Sequence, residues 1–153
     1  MTSIDDFERG SPIRKISILH RLNLNRLSAP LSQMGIMQGS FPFLMEILSR
    51  GTVIQEEITQ ALSIDRAATT RAMQILEKNG LIIREDDPKD KRCKLINPTQ
   101  KSIALQADIL TILQQQIDTL FDGFSEEERE QFSSQLDLMI DNMRNKKKKN
   151  LNA

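Results

Sequence analysis

Residues 55–74 read QEEITQALSIDRAATTRAMQ, and this stretch decides the fold. It contains two short helical patterns separated by a tight corner. Ile58, Leu62, Ile64, Thr69 and Ala72 fall at the spacing that packs one helix on the other. The corner is Leu62-Ser63-Ile64, with serine where glycine is commoner. Asp65 is placed to cap the second helix, because its carboxylate accepts the free backbone N–H groups of a first turn. The opposite face of that helix carries Arg66, Ala67, Thr70, Arg71 and Gln74. This face is short-chained near its start, rich in donors and free of acidic residues, which suits a helix whose N-terminal half enters a DNA major groove. A two-helix corner in any small domain gives a similar pattern, so the flanking segments must decide.

Downstream, Gly80 closes the second helix and the pattern changes. Leu81 to Glu85 and Lys94 to Asn97 are short and strand-like, the latter ending before Pro98. Between them lies Asp86-Asp87-Pro88-Lys89-Asp90-Lys91-Arg92, too charged to pack. The expectation is a two-stranded β-hairpin with a projecting loop, a wing following a helix-turn-helix. Lys89, Lys91, Arg92 and Lys94 are its candidate contacts to phosphates or a minor groove, where focused negative potential attracts a guanidinium. Asp90, two residues before Arg92, is expected to hold that side chain extended through an ion pair. The bland alternative for the loop is a solvated turn of mixed charge, whose surface pairs contribute little.

Upstream, Pro12 begins a helical stripe of Ile13, Ile16, His20, Asn23, Leu27 and Leu31, which Pro30 and Gly35 fray or bend near its end. A helix over Phe41–Arg50 stops at Gly51, a third starts at about Ile54, and a fourth covers Arg66–Asn79. In the last third, Ile103, Leu110, Ile117 and Phe124 recur every seven residues. A helix of about 24 residues, roughly 36 Å long, would carry that stripe, and so long a stripe suggests a partner helix. Ser125 and Glu128 form a capping box for a final helix with Phe132, Leu136, Met139 and Met143 on its apolar face.

Composition narrows the classes. The chain has 153 residues, 39% hydrophobic and 27% charged, enough for one ordinary globular domain. No apolar run approaches the ~18 residues of a membrane span. Met1 to Arg9 is polar and acidic, unlike a secretion signal, and Cys93 is the only cysteine, so the expected home is the cytoplasm. One histidine and one cysteine argue against a zinc site, and no cofactor is expected. No Gly-rich phosphate loop and no nucleophile with an evident base is present, so the chain reads as a non-enzyme. Net charge is zero, but residues 63–102 carry nine basic and six acidic side chains, while residues 103–145 carry two and nine. Attraction to phosphate must therefore come from the middle of the chain.

The run Gln55-Glu56-Glu57-Ile58 through Ser63-Ile64-Asp65, with Thr70-Arg71, Leu76-Glu77-Lys78-Asn79-Gly80-Leu81-Ile82, Arg84 through Arg92, and Pro98-Thr99-Gln100-Lys101, resembles the MarR family (multiple-antibiotic-resistance regulators). The resemblance extends over nearly the whole chain. It implies a mainly α fold: a winged helix-turn-helix lobe at 36–98 with a β-hairpin wing, dimerisation helices at 11–33 and 99–145, and a flexible lysine-rich tail at 146–153. It implies a homodimeric transcription regulator, by default a repressor, straddling a pseudo-palindromic double-stranded DNA operator. Arg92 would enter the minor groove while Thr70, Arg71 and their neighbours read the major groove. Ala67 and Ala68 stand where the family often has Ser and Thr, and Ile54 replaces a common Thr cap, leaving Thr52 as the substitute.

The resemblance also implies a small lipophilic or phenolic effector. The candidate pocket residues are Met34, Met37, Phe41, Phe43 and Met45, with His20 and Arg21 as polar partners; such residues are more often plain core. Cys93, between Arg92 and Lys94, is expected to have a favoured thiolate. The competing class is a winged-helix dimer that binds protein rather than DNA.

Overall fold

The computed structural model describes residues 3–151, with 146–151 by backbone alone. These divide into two compact units, residues 1–114 and 115–153.

In the first unit, α1 (Ile4–Gly10) is a short helix that the sequence pattern did not announce; Ser3 caps it by accepting from the Asp6 N–H at 3.1 Å. Ser11 then caps α2 (Pro12–Gln33), with Pro12 in the first turn where its missing N–H costs no helical bond. Pro30 lies inside α2 without ending it. The expected stripe divides along its length. Leu27 and Leu31 are buried, whereas Ile13, Ile16 and His20 are exposed. A 3-10 turn (Gln38–Ser40) leads into α3 (Phe41–Arg50), which stops at Gly51 with φ 76°, a backbone angle that glycine adopts without strain.

The expected two-stranded hairpin is present, and Val53–Ile54 form a strand, β1, that adds a third to its sheet. The order is β1-β3-β2, all antiparallel, with β2 at Ile82–Asp86 and β3 at Lys94–Pro98. β1 pairs Val53 with Ile96 and Ile54 with Leu95. Two β-branched residues suffice because β3 already offers an open edge. Pro98 does not break β3; it pairs with Ile82 at the end of the strand, where its missing N–H is tolerated.

α4 (Gln55–Leu62) and α5 (Arg66–Lys78) form the helix-turn-helix. Ser63 supplies the corner with φ 53°, the left-handed conformation. Asp65 caps α5, accepting from the Ala68 N–H at 2.8 Å. Thr52 does not cap α4, because its hydroxyl bonds Asn97 across the sheet. Glu57 instead reaches back to the Ile54 N–H at 3.0 Å. The core of this unit joins Leu31, Ile36, Leu44, Ile47, Ile58, Met73, Leu76, Leu81, Ile96 and Ile109.

The far end of α5 is tied to the chain that follows β3. The Thr99 hydroxyl donates to the Gly80 carbonyl at 2.7 Å and the Thr99 N–H to that of Leu81 at 3.2 Å. Lys101 Nζ donates to the Asn79 carbonyl at 2.8 Å. Thr99 also caps α6 (Gln100–Ala104).

The single long helix expected from Ile103 to Phe124 is broken into two. α6 ends at Ala104, α7 (Gln106–Leu120) follows, and Phe124 lies in the turn beyond. At the break the Leu105 N–H turns to the Ser102 carbonyl at 3.2 Å, an i→i+3 bond that ends α6 with a tightened turn.

In the second unit Ser125 and Glu128 cap α8 (Glu126–Leu151) reciprocally, at 2.8 and 3.2 Å. Phe121 meets Phe124 and Phe132 edge-on, with centroids 5.6 and 5.8 Å away, and Arg129 lies 5.6 Å over its ring. The backbone of α8 runs through the lysine run where a frayed tail is expected; the side chains from 146 onward, and residues 152 and 153, lie outside the described residues. Among the described residues no helix is long and apolar enough to cross a membrane.

Candidate nucleic-acid interface

α5 owes its orientation to the side it buries. Thr69, Ala72, Met73 and Leu76 face the core. The Thr69 hydroxyl donates to the Asp65 carbonyl and lies 3.0 Å from that of Thr59, stitching α4 to α5. Arg66, Ala67, Arg71 and Gln74 are left exposed and Thr70 half-buried, so the five residues expected on the reading face share it. Their chemistry is more committed than the sequence suggested. Arg66 Nη2 donates to Glu56 on α4 at 2.9 Å. The Thr70 hydroxyl donates to the Arg66 carbonyl and accepts from Gln55 Nε2 at 2.7 Å. Since that hydroxyl proton is already spent, the Gln55 amide must present its nitrogen to Thr70. Gln55 and Glu56 are thus partners of the candidate reading face that pattern reading missed. Their one signal was position, since the first turn of the first helix lies beside the reading helix in any helix-turn-helix.

The wing is built by side chains bonding backbone. Asp87 Oδ1 accepts from the Lys89 N–H at 2.8 Å, and Asp90 Oδ1 from the Arg92 N–H at 3.0 Å. The Cys93 N–H closes the turn on the Asp90 carbonyl at 2.9 Å. The expected ion pair between Asp90 and the Arg92 guanidinium is therefore corrected. A carboxylate two residues ahead is better placed for its neighbour's backbone N–H than for the end of its side chain. Lys94, expected to be a phosphate contact, faces Asp86 across the hairpin and is paired with it. Lys89, Lys91 and Arg92 are exposed at the tip. Behind them, Arg84 Nε donates to Glu77 at 2.9 Å, joining β2 to α5 and holding the Glu77 carboxyl below its ordinary range.

Cys93 also reverses its expected sign. Burial, then the Asp90 and Asp87 carboxylates, push its thiol up rather than down. The basic residues adjacent in sequence are not its closest influences once the loop folds back.

The MarR family sequence profile matches residues 36–94, from Ile36 to the first residue of β3. The crystal structure of a MarR transcriptional regulator from Methanosarcina mazei Go1 aligns with a TM-score of 0.81 at 30% identity, over 86% of this chain and 95% of that one. The chain belongs to the MarR family. A second MarR neighbour, a transcriptional regulator from Listeria monocytogenes solved with 26mer DNA, aligns with a TM-score of 0.82 at 29% identity, over 88% of this chain and 89% of that one. The HTH-type transcriptional regulator YybA of Bacillus subtilis (strain 168) is 24% identical over 81% of this chain and 83% of its own length.

The MarR effector residues expected from sequence are not gathered into one cavity within the first unit. Met37 and Phe43 line an open cleft of about 350 Å³ beside α5, with Ile64, Ala68, Arg71 and Ile75. Met45 lines a separate cleft of about 240 Å³ with Leu48, Ile109 and Leu110. Phe41 is core, Met34 packs partly against it, and His20 and Arg21 are exposed on α2. Alternate residues of a helix face different sides, which sequence proximity alone does not reveal. Among the described residues no cluster of His, Cys, Asp and Glu is arranged to hold a metal.

Proposed function

We propose that this MarR-family chain is a cytoplasmic, sequence-specific DNA-binding regulator, a repressor that grips a pseudo-palindromic operator as a homodimer and is released by a small lipophilic or phenolic effector. The observation that carries the reading is the pairing, on one lobe, of a donor-bearing exposed α5 face with a wing tip of three exposed cations, Lys89, Lys91 and Arg92. An α-helix fits the major groove, and a guanidinium on a flexible loop fits the minor groove beside it. The Listeria relative solved with 26mer DNA supports the same partner class.

The dimer reading draws support from uncovered apolar residues. Ile13, Ile16, Leu19 and Leu22 are exposed on α2, and Leu138, Met139, Ile140 and Met143 on α8. We assign 36–98 as the reading lobe and 11–33 with 99–145 as the dimerisation helices. A two-fold dimer sets its two reading helices about 34 Å apart, one turn of DNA, and so reads inverted half-sites. The effector is assigned to the Met37–Phe43 cleft, whose apolar walls and rim guanidinium at Arg71 suit a lipophilic acid. Occupancy would shift the population toward a state unable to hold the operator.

The test is titration against duplex DNA from upstream of the chain's own gene at ~50 and ~200 mM salt. Binding that is specific and falls steeply with salt is expected. No binding above that of random duplex would reject the reading in favour of a protein-binding winged helix, which the missing hydroxyls at Ala67 and Ala68 would suit.

A further inference from the structure

Arg66, the first residue of α5, does not face outward alone. Its guanidinium donates to Glu56 Oε2 at 2.9 Å, and Gln60 Nε2 donates to the other carboxylate oxygen at 3.3 Å. The arginine side chain is 78% exposed and the glutamate 45%, so burial does not lock the pair together. Such a pair contributes little to folding stability. Its position matters more. Glu56 lies in the first turn of α4, and in a helix-turn-helix the first helix crosses the DNA backbone while the second enters the groove. A carboxylate there meets phosphate as a like charge, and the cation best placed to offset it is already bonded to it. The Arg66 bond also holds the Glu56 carboxyl below its ordinary range, so it stays ionised wherever DNA binding is measured.

We infer that Glu56 is a built-in competitor of the DNA backbone, holding Arg66 away from phosphate and lowering the chain's affinity for any duplex. The inference rests on the DNA-binding reading and adds a residue that acts by opposing it. Backbone binding is driven by release of counterions, one for each phosphate neutralised. While Arg66 stays on Glu56, that arginine releases none. Removing the glutamate's charge returns the guanidinium to the phosphates.

The experiment compares wild type, Glu56→Gln, Arg66→Ala and the double variant on a short random-sequence duplex between ~50 and ~200 mM salt. Glu57 rather than Glu56 bonds the start of α4, so the fold is expected to survive each change. Glu56→Gln should bind about fivefold tighter at the lower salt. Its plot of log affinity against log salt should steepen by about 0.9 for each subunit engaged. The gain should shrink in the Arg66→Ala background to what the carboxylate's own repulsion of phosphate accounts for. A Glu56→Gln protein that binds more weakly, as it would if the glutamate presented Arg66 to DNA, overturns the inference. So does a gain that persists undiminished without Arg66, which would be plain charge repulsion. Wild-type protein that binds no duplex would instead overturn the DNA-binding reading, and the competitor role with it.

Discussion

The helix-turn-helix and α8 treat their apolar residues in opposite ways. In the lobe, Ile58, Met73 and Leu76 are wholly buried, and the three-stranded sheet backs them. On α8, Leu138 is 62% exposed and Met143 75%. The core around Ile58, Met73 and Leu76 closes within one chain, with Leu31 of α2 and Ile109 of α7 completing it. The single chain leaves these α8 residues uncovered. The contrast separates what holds the reading head together from what would hold two heads apart at a fixed distance.

The largest expected effect tests the lobe. Leu76→Ala should lower unfolding stability by about 2–5 kcal/mol, measured from the urea midpoint. A loss below about 1 kcal/mol would break the comparison, because the lobe would then not depend on its own core. Next comes the other side. Leu138→Glu with Met143→Glu should raise the dimer dissociation constant on the order of 100-fold by sedimentation. An unchanged sedimentation profile would mean that α8 faces water in the working protein. Smaller again is Arg92→Ala, expected to weaken binding to upstream DNA on the order of tenfold without altering sedimentation. The smallest effect sharpens the comparison within the lobe. Arg84 depresses the Glu77 carboxyl, so the pair's stabilisation is present above the usual carboxylate value and fades as pH falls through the lowered one. Glu77→Gln should flatten stability against pH below about 4.5, by less than about 1 kcal/mol given the pair's exposure.

Where structure is local, the sequence was legible. The Asp65 cap, the reciprocal Ser125–Glu128 box, the Ser63 corner and the split of α5 into buried and exposed faces all depend on residues within four positions of one another. β1 was not legible, because two residues carry no period and become a strand only by pairing with Ile96 and Leu95 forty-odd positions away. The break at Leu105 was hidden because the seven-residue stripe passes straight through it. In the candidate site, the residue types were readable but their partners were not. Arg66 is taken by Glu56 and Thr70 by Gln55, each across the corner between two helices. At the wing, Asp90 chose a backbone N–H over a guanidinium, and the carboxylates of a folded loop, rather than the flanking basic residues, set the character of Cys93.

The bonds from Thr99 and Lys101 to the carbonyls of Asn79, Gly80 and Leu81 fasten the segment just past the end of α5 to the start of α6. Buried Thr69, Ala72, Met73 and Leu76 already pin the body of α5, so fastening its tail leaves the helix little freedom to slide along its own axis or to roll on the core. Where the exposed face of α5 points is thus fixed twice over, once by packing and once by hydrogen bonds to backbone.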